Sequence, residues 1–265
     1  MIATYGHGTE NDFVLVFDPE DDHSITSHET AAICDRETGV GADGLIRIVK
    51  REGKWFMDYR NSDGSIAEMC GNGIRVMARY LVERGHEPEG IFAINTRDGL
   101  KHLRVPMVGD ISVNMGTVSD EGEAITAATN GHIWNGYKIS VGNPHAVVFV
   151  DDIKEVGPMK APPVVRPRDS YPEGVNVEFV QITGDHELSM RVFERGSGET
   201  RSCGTGTCAV AFAAALHIKE RLPTSWIINP PGGRLVVSID AHANATLIGP
   251  AVLVKDVDIT GFLLA

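Results

Sequence analysis

Two cysteines stand in matching surroundings that favour acid–base chemistry. Cys203 opens the run Cys-Gly-Thr-Gly and Cys70 opens Cys-Gly-Asn-Gly, and an apolar stretch follows each run. This pattern is typical of a tight loop that leads into a helix N-terminus, with the thiol at its mouth. Because exposed amides and the positive end of the helix dipole favour an anion there, we expect a lowered thiol pKa.

The two cysteine loops belong to a longer internal repeat. Cys70 and Cys203 lie 133 positions apart, close to half of the 265 residues. Other pieces recur in the same order at nearly the same spacing: Asn11–Asp18 with Asn143–Asp151, Gly41–Val49 with Gly174–Ile182, and the loop around Asn61 with that around Glu194. We therefore predict an internal duplication in which each half presents one cysteine to a shared cleft.

A site with two equivalent thiols fits a reaction that is itself symmetric. Removing the α-proton of an amino acid from one face and returning a proton to the other needs acid/base groups on both sides of one carbon. A thiolate and a thiol can exchange these roles, since their unperturbed pKa of about 8.5 is near neutrality. Two helix N-termini would supply N–H donors where carbanion charge builds. The pattern indicates cofactor-independent racemisation or epimerisation.

Other kinds of site fit the sequence less well. Residues 204–209 match the glycine-rich dinucleotide fingerprint, but no βαβ unit surrounds them. A Cys–His hydrolase could pair His145 with a cysteine, but acyl transfer uses one attacking atom rather than two. No lysine lies in a glycine-rich pocket that would suit pyridoxal phosphate, and no cysteine or histidine spacing suits a metal. We expect neither cofactor nor metal.

Composition limits the partners and the cellular location that we expect for the protein. A net charge of −12 without a basic cluster argues against nucleic acid or an anionic membrane surface as a partner. The N-terminal residues do not resemble a signal peptide, and the longest apolar run, 208–216, is too short to cross a bilayer. We expect a soluble cytoplasmic protein with reduced cysteines, among which Cys34 is predicted to be a core thiol.

The sequence predicts an α+β fold with many strands and few helices. Thr26 and Glu29 predict a capping box at the start of a short helix, and Glu52-Gly53 predicts a hairpin turn. The alanine-rich helix after Cys203 is apolar all round and must be buried on every side. Its small side chains suit a strongly curved sheet around it.

The domain boundary is predicted near the middle of the chain. Residues 118–131 are polar and without a clear period, so we assign no strand there and place the boundary in this stretch. This places a first domain with Cys70 at 1–120 and a second with Cys203 at 130–250. The last strand, about 251–265, is a candidate to pack back on the first domain.

Polar loop residues are candidates for substrate binding. They are asparagines beside glycines or at strand ends: Asn11, Asn61, Asn72, Asn143 and Asn176. Each alone is more typical of a turn residue, but their recurrence at duplicated positions favours a common role. Glu194-Arg195 occurs in one half only, so it could bind a charged substrate tail or be a solvated surface pair.

The sequence resembles the diaminopimelate epimerase family. The segments that carry the resemblance are residues 61–73, 142–145, 173–177 and 194–206, which include both cysteine loops. The resemblance implies two homologous domains, each a curved, mostly antiparallel sheet around a central helix, with the active site in the cleft between them. It also implies interconversion of LL- and meso-diaminopimelate without pyridoxal phosphate or metal, in lysine and peptidoglycan precursor synthesis.

The resemblance also implies a role for each candidate residue. Cys70 and Cys203 would be the acid/base pair, and His145 and Glu194 would tune their pKa values. The side chains that would hold the substrate are Asn11, Asn61, Asn143, Asn176, Glu194 and Arg195. The residues whose backbone would cradle the carboxylate are Gly71, Asn72, Gly204 and Thr205. Family members often carry glutamine where this chain has Gly44, so a side-chain contact there would be absent.

Two other functions stay open at the level of sequence. A different cofactor-free racemase, similar to a proline or hydroxyproline racemase, would also use two thiols, although the asparagines and Glu194-Arg195 favour a longer zwitterionic substrate. A non-catalytic binding module on the same fold would have unreactive thiols. The candidate assembly is a homodimer.

Overall fold

The computed structural model describes residues 1–263 of the chain and divides it into two compact units. One unit comprises Met1–Val113 and the chain from Gly249 onward, and the other comprises Asn114–Ile248. In chain order the strands and α-helices are β1 (Ile2–Gly8), β2 (Asn11–Phe17), α1 (Ser27–Cys34), β3 (Gly44–Arg51), β4 (Lys54–Asn61), α2 (Gly71–Glu83), β5 (Gly90–Thr96), β6 (Gly99–Val105), β7 (Ile111–Thr117), β8 (Ser119–Thr129), β9 (His132–Ser140), β10 (Pro144–Phe149), β11 (Val164–Arg166), β12 (Asn176–Gly184), β13 (Glu187–Glu194), β14 (Gly198–Thr200), α3 (Gly204–His217), β15 (Thr224–Asn229), β16 (Leu235–Ile239), β17 (Asn244–Gly249) and β18 (Val252–Asp258). None of the helices in residues 1–263 has the length and apolar character needed to cross a bilayer.

The first unit is a curved sheet around α2. Its strands pair in the order β18, β1, β2, β3, β4, β5, β6, and only the pairs β2–β3 and β4–β5 are parallel. Helix α2 packs against β18 and β1 at one end of this order and against β6 at the other. Every residue from Gly71 to Val82 is buried. The sheet must therefore bend around the helix, which leaves α2 without a solvent-facing side along most of its length.

The second unit repeats this plan around α3. Its strands pair in the order β8, β9, β10, β12, β13, β15, β16, β17, and the parallel pairs are β10–β12 and β13–β15. Helix α3 packs against β9, β10, β12, β15 and β16. Its residues from Gly206 to Ala215 are buried. Alanine predominates there because strands approach the helix from every side, as the sequence predicted.

Each unit includes a strand that follows the other unit's repeat in the chain. β8 follows the strands of the first repeat but pairs antiparallel with β9, and β18 follows the second repeat but pairs antiparallel with β1. The segment 251–265 therefore contributes β18 to the first unit, and its residues 264–265 lie outside the described chain. Without this exchange β1 and β9 would each be left with an open sheet edge.

The sequence assigned no strand to residues 118–131, and the structure differs there. Most of this stretch is β8, which pairs with β9 on one side and with β11 on the other. Only Ile125 and Ala127 in β8 are buried, so the strand carries little apolar alternation. β8 continues into β9 through the two-residue turn Asn130-Gly131, in which both residues have positive φ, so the only local signal of this strand was its hairpin turn.

Other local predictions are confirmed. Thr26 Oγ1 accepts a hydrogen bond from the Glu29 amide at 3.2 Å, and Glu29 Oε2 accepts one from the Thr26 amide at 2.7 Å, which completes the capping box of α1. Glu52 and Gly53 both have positive φ and form the two-residue turn between β3 and β4. Cys34 is 2% exposed and lies in the core of the first unit.

Candidate active site

Cys70 is the N-cap residue of α2. Its backbone is extended (φ −135°, ψ 120°), and its Sγ accepts a hydrogen bond from the Gly73 amide at 3.5 Å. Gly73 lets the helix start lie close to the sheet, since a Cβ there would come within 2.9 Å of Ile46 Cδ1 and Met57 Cε. The partly exposed sulfur therefore lies at the positive end of a buried helix.

Asn11 joins the loop around Cys70 to the start of β2. Its Oδ1 accepts hydrogen bonds from Asn72 Nδ2 at 3.1 Å and from the Cys70 thiol at 3.6 Å. Asn72 is fully buried, so its side chain supports the loop. The structure therefore brings together three of the residues that the sequence singled out, and it gives the Cys70 sulfur an acceptor as a neighbour.

A carboxylate pair fixes the orientation of Asn11. Asn11 Nδ2 donates to Asp43 Oδ2 at 2.8 Å, and the Asp12 amide donates to the same oxygen at 3.1 Å. Arg36 donates to both Asp12 and Asp43, at 2.9 and 2.7 Å. Burial and the neighbouring Asp12 charge raise the pKa of Asp43, whereas hydrogen bonds, chiefly from Arg36, outweigh burial and lower the pKa of Asp12. With its nitrogen held, Asn11 turns its oxygen towards the cysteine loop.

Asn61 and Gly44 lie opposite each other at the ends of β4 and β3. Asn61 bonds to its own loop, with its amide donating to the Ser65 carbonyl at 2.9 Å and Nδ2 donating to Ser65 Oγ at 3.0 Å. A Cβ on Gly44 would lie 2.6 Å from the Arg60 carbonyl oxygen and 2.6 Å from Tyr59 Cε2. A glutamine at this position would therefore require the backbone and Tyr59 to shift.

Cys203 is the N-cap residue of α3 and matches Cys70 closely. Its backbone has φ −127° and ψ 120°, and its Sγ accepts a hydrogen bond from the Gly206 amide at 3.4 Å. Thr205 Oγ1 lies 3.6 Å from the sulfur. Cys203 is only 5% exposed. The duplication therefore extends to the atoms that surround each thiol.

The pKa of Cys203 is raised rather than lowered. Burial raises it well above the usual value, and the Glu194 and Glu178 carboxylates add to the effect, while the Gly206 amide and the Thr205 hydroxyl oppose it. The lowered pKa expected from a helix N-terminus is therefore wrong for Cys203, because desolvation and two nearby negative charges outweigh the helix.

Glu194 is part of the surroundings of Cys203 rather than a solvated surface group. Its Oε1 accepts a hydrogen bond from the Thr200 hydroxyl, and its carboxylate also accepts one from the Cys203 thiol. Burial raises the pKa of Glu194, and the nearby Glu178 charge adds to this. The adjacent Arg195 is exposed and donates to the Glu173 carbonyl at 3.2 Å.

A chain of hydrogen bonds runs from the Cys203 loop into the core of the second unit. Asn143 Nδ2 donates to Thr205 Oγ1 at 3.2 Å, and Asn143 Oδ1 lies 3.0 Å from His145 Nε2. His145 Nδ1 lies 2.7 Å from Glu178 Oε1, and neither residue of this pair has exposed surface. Elsewhere in the unit, Oδ1 of the buried Asn176 accepts a hydrogen bond from the Arg195 backbone amide at 2.9 Å.

Comparison with known proteins decides the family. The sequence model described as diaminopimelate epimerase matches residues 3–120 and 137–254, which together make up most of the chain. The diaminopimelate epimerase of Streptomyces coelicolor is 45% identical over 267 residues, covering 95% of this chain and 92% of that protein. The one from Thermobifida fusca is 42% identical, with 96% of each chain covered. The chain belongs to the diaminopimelate epimerase family.

Solved structures of other proteins share its fold. A PhzF-family phenazine biosynthesis protein from Bacillus anthracis has a TM-score of 0.75 at 16% identity, over 97% of this chain and 98% of that one. A probable proline racemase from Agrobacterium radiobacter has a TM-score of 0.71 at 16% identity, over 97% and 92%. The α+β fold of two repeated domains predicted for this member of the diaminopimelate epimerase family is confirmed.

Three side chains around the cysteines were not singled out from the sequence. They are Asp43, which holds Asn11, Glu178, which holds His145, and Thr200, which donates to Glu194. Glu178 left a signal, since it stands between Val177 and Phe179 in a strand whose first five residues are all buried. An acidic residue inside such a strand needs a buried partner, and His145 is that partner.

Proposed function

We propose that this chain interconverts LL- and meso-diaminopimelate without a cofactor, with Cys70 and Cys203 as the two acid/base groups. The observation that carries the proposal is the pair of N-cap cysteines with matching backbone and matching amide contacts, in a chain of this family. We further propose that it acts in the cytoplasm, in lysine and peptidoglycan precursor synthesis.

The proposed reaction moves one proton to the substrate and one away from it. One sulfur, as a thiolate, takes the α-proton, and the electron pair of the broken C–H bond stays on the α-carbon. The other sulfur, as a thiol, gives its proton to the opposite face and becomes a thiolate. Because each turnover exchanges the protonation states of the two sulfurs, the same groups serve the reverse reaction. The proposal requires both sulfurs to reach one carbon.

We propose that Cys203 is the acid in the first step. A thiol that resists ionisation near neutral pH is suited to be the acid. The turnover that starts from this state therefore begins with Cys70 as the base.

We propose that the helix N-termini hold the reacting carboxylate. In each helix the third amide donates to the cysteine sulfur, and the fourth donates to the cysteine carbonyl at 2.9 Å. The first two amides of each helix, at Gly71 and Asn72 and at Gly204 and Thr205, point out of the N-terminal end of the helix. They could donate to the carboxylate and stabilise the charge that delocalises from the α-carbon.

We propose that the remaining polar side chains bind the rest of the substrate. Asn11, Asn61, Asn143 and Asn176 offer amides at the ends of strands that lead towards the cysteine loops. The exposed guanidinium of Arg195 would bind the carboxylate at the distal end of diaminopimelate. Because this charged group occurs in only one of the two repeated halves, it would bind one end of the substrate and so fix the orientation of the substrate in the site.

Isotope exchange tests the proposal directly. The reduced protein is incubated with authentic LL-diaminopimelate in deuterated water, and deuterium at the α-carbon is followed together with the appearance of the meso form. Cys70→Ser and Cys203→Ser should each abolish interconversion while the circular dichroism stays unchanged. Exchange into proline but not into diaminopimelate would assign a different racemase, and exchange into neither would reject the function.

A third cysteine variant is the matched control. Cys34→Ala removes a thiol that is buried in the core of the first unit, where desolvation raises its pKa to about 12. This variant should retain interconversion, with at most a modest loss of stability from the small cavity. Equal loss of activity in all three cysteine variants would place the effect in folding rather than in chemistry.

A further inference from the structure

The buried pair of Glu178 and His145 has a hydrogen-bonding pattern in which both ring nitrogens face an oxygen atom. His145 Nδ1 lies 2.7 Å from Glu178 Oε1, and His145 Nε2 lies 3.0 Å from Asn143 Oδ1. Both neighbours of the ring are oxygens, so each contact needs a proton between nitrogen and oxygen. The pair therefore holds one proton more than a carboxylate and a neutral imidazole would hold.

That extra proton makes the pair neutral overall. The arrangement that agrees with the Glu178 charge acting on Cys203 is a carboxylate beside an imidazolium that donates from both ring nitrogens. Both residues lack exposed surface, and Glu178 Oε2 has no hydrogen-bond partner among the described residues. Burying a neutral pair costs far less than burying a carboxylate without a compensating charge. Burial of the pair and the positions of the facing oxygens thus both favour a His145–Glu178 pair with no net charge.

The proton on His145 Nε2 decides the orientation of Asn143. Because the ring donates there, the Asn143 oxygen accepts, and its Nδ2 is turned towards Thr205 Oγ1 at 3.2 Å. Thr205 Oγ1 then accepts from Asn143, and its own proton is available for the Cys203 sulfur 3.6 Å away. With a proton on Nδ1 alone, the Asn143 amide would reverse and the Thr205 hydroxyl would donate to Asn143 instead.

We propose that the Thr205 hydroxyl donates a hydrogen bond to the Cys203 sulfur and stabilises its thiolate. The hydrogen-bonded series of Asn143, His145 and Glu178 holds the hydroxyl in that orientation. The inference rests on the proposed role of Cys203 and adds a side-chain role to a residue expected to act through its backbone. The donor is needed because Cys203 is buried beside Glu194. When Cys203 has given up its proton, the Thr205 hydroxyl and the Gly206 amide are the donors placed against its sulfur.

Substitution of Thr205 tests whether the hydroxyl acts on the sulfur. Thr205→Val keeps the side-chain shape and removes the donor, so kcat should fall roughly 10- to 100-fold, the worth of one hydrogen bond to a charged group. KM should change little, because the backbone of residue 205 is unaltered. Thr205→Ser restores the hydroxyl and should recover most of kcat.

Thr207 offers a matched control on the same helix turn. Its hydroxyl donates to the Cys203 carbonyl at 2.6 Å rather than to the sulfur. Thr207→Val should therefore lose stability but keep kcat within a few-fold. An unchanged kcat in Thr205→Val, or equal losses in Thr205→Val and Thr207→Val, would overturn the proposal.

A second measurement needs no substrate and no turnover. In protein labelled with ¹⁵N-histidine, the His145 signals are assigned by comparison with His145→Gln and recorded at neutral pH. The proposal expects Nε2 to carry a proton. A ring protonated at Nδ1 alone would overturn it, because Thr205 would then donate to Asn143. This result stands even if the chain shows no epimerase activity, so the two proposals fail separately.

Discussion

Each reactive sulfur is tuned by the polar atoms within a few ångströms of it. Cys70 faces the Asn11 oxygen, an acceptor, while Cys203 faces the Thr205 hydroxyl and lies near two carboxylates. The paired residues Asn11 and Asn143 occupy equivalent places in the repeat but turn opposite ends of their amides towards the cysteine loops. The two repeats therefore share a backbone fold but surround Cys70 and Cys203 with different polar groups.

At the residue scale, we predict that Glu194→Gln lowers the pKa of the Cys203 thiol. Glu194 favours the neutral thiol in two ways, as a nearby negative charge and as the acceptor of the thiol hydrogen bond. Removing the charge should therefore lower this pKa. The measurement is thiolate ultraviolet absorbance against pH, taken as the difference from the same protein with Cys203→Ser.

Glu199→Gln is the control for this experiment. Glu199 lies on β14 opposite Phe193, the residue before Glu194, but pairs with Arg191 at 2.6 Å. Its replacement should leave the Cys203 titration where it was. A titration in Glu194→Gln at the same pH as in the unaltered chain, or at a higher pH, would contradict the prediction.

At the element scale, the sheet of the first unit is tied together by buried charges. Arg47 on β3 donates to Asp58 on β4 at 3.0 Å and to Asp18, just after β2, at 2.6 Å. All three side chains are at least 94% buried. Breaking such a pair by removing one partner costs more than the pair itself contributes, because the other charge stays buried. The cluster holds β2, β3 and β4 in register beneath the Cys70 helix.

We predict that this cluster makes the protein sensitive to acid. Burial would raise the pKa of Asp18, but hydrogen bonds, chiefly from Arg47, outweigh it and lower the pKa to about 2 from 3.8. The unfolded chain therefore takes up this proton at a higher pH than the folded one. Asp18 contributes about 2 kcal/mol above roughly pH 4, and the contribution is lost as the pH falls towards about 2.

Urea unfolding at several pH values measures this effect. Asp18→Asn should be less stable than the unaltered chain by about 2 kcal/mol at pH 7, and the difference should shrink as the pH approaches 2. Asp22→Asn alters an exposed neighbour and should leave the profile unchanged. A stability difference that is constant across the pH range would show that Asp18 acts through packing rather than through charge.

At the scale of the whole molecule, the exchanged strands couple the two repeats of the chain. The first repeat cannot complete its own sheet, because β18 arrives from the C-terminal end and pairs with β1. β8 follows the first repeat in the chain and pairs with β9 of the second. The second unit is therefore one continuous stretch, 114–248, whereas the first unit depends on a segment from the C-terminal end of the chain.

We predict that ending the chain after Pro250 destabilises the first unit selectively. β1 then loses its partner β18, whereas β9 keeps β8 and β10. In hydrogen exchange, amide protection in β1 and α2 should fall, because α2 also packs against β18. Protection in β9 and β10 should persist and is the internal control. Equal loss of protection in both units would contradict this account.

Much of the fold follows from pattern alone. The repeat is visible because similar segments recur 133 residues apart. The other correct predictions are properties of short segments: the apolar helix after Cys203, the capping box at Thr26 and the hairpin at Glu52-Gly53. Such features depend on local backbone preference and on which residues must leave water. β8 was missed because its own side chains carry little apolar alternation, although Asn130-Gly131 marks the hairpin that joins it to β9.

The sequence by itself determined the family, the duplicated α+β plan and the two cysteines, because residue type and spacing are enough to specify helix caps and buried faces. Only the tertiary structure decided what surrounds each sulfur. Glu178 and Glu194 lie 25 and 9 positions before Cys203, yet their charges act on its thiol through space. A pKa depends on burial and on distances between charges, so the helix N-terminus that the sequence revealed was outweighed by neighbours that only the packed strands bring close.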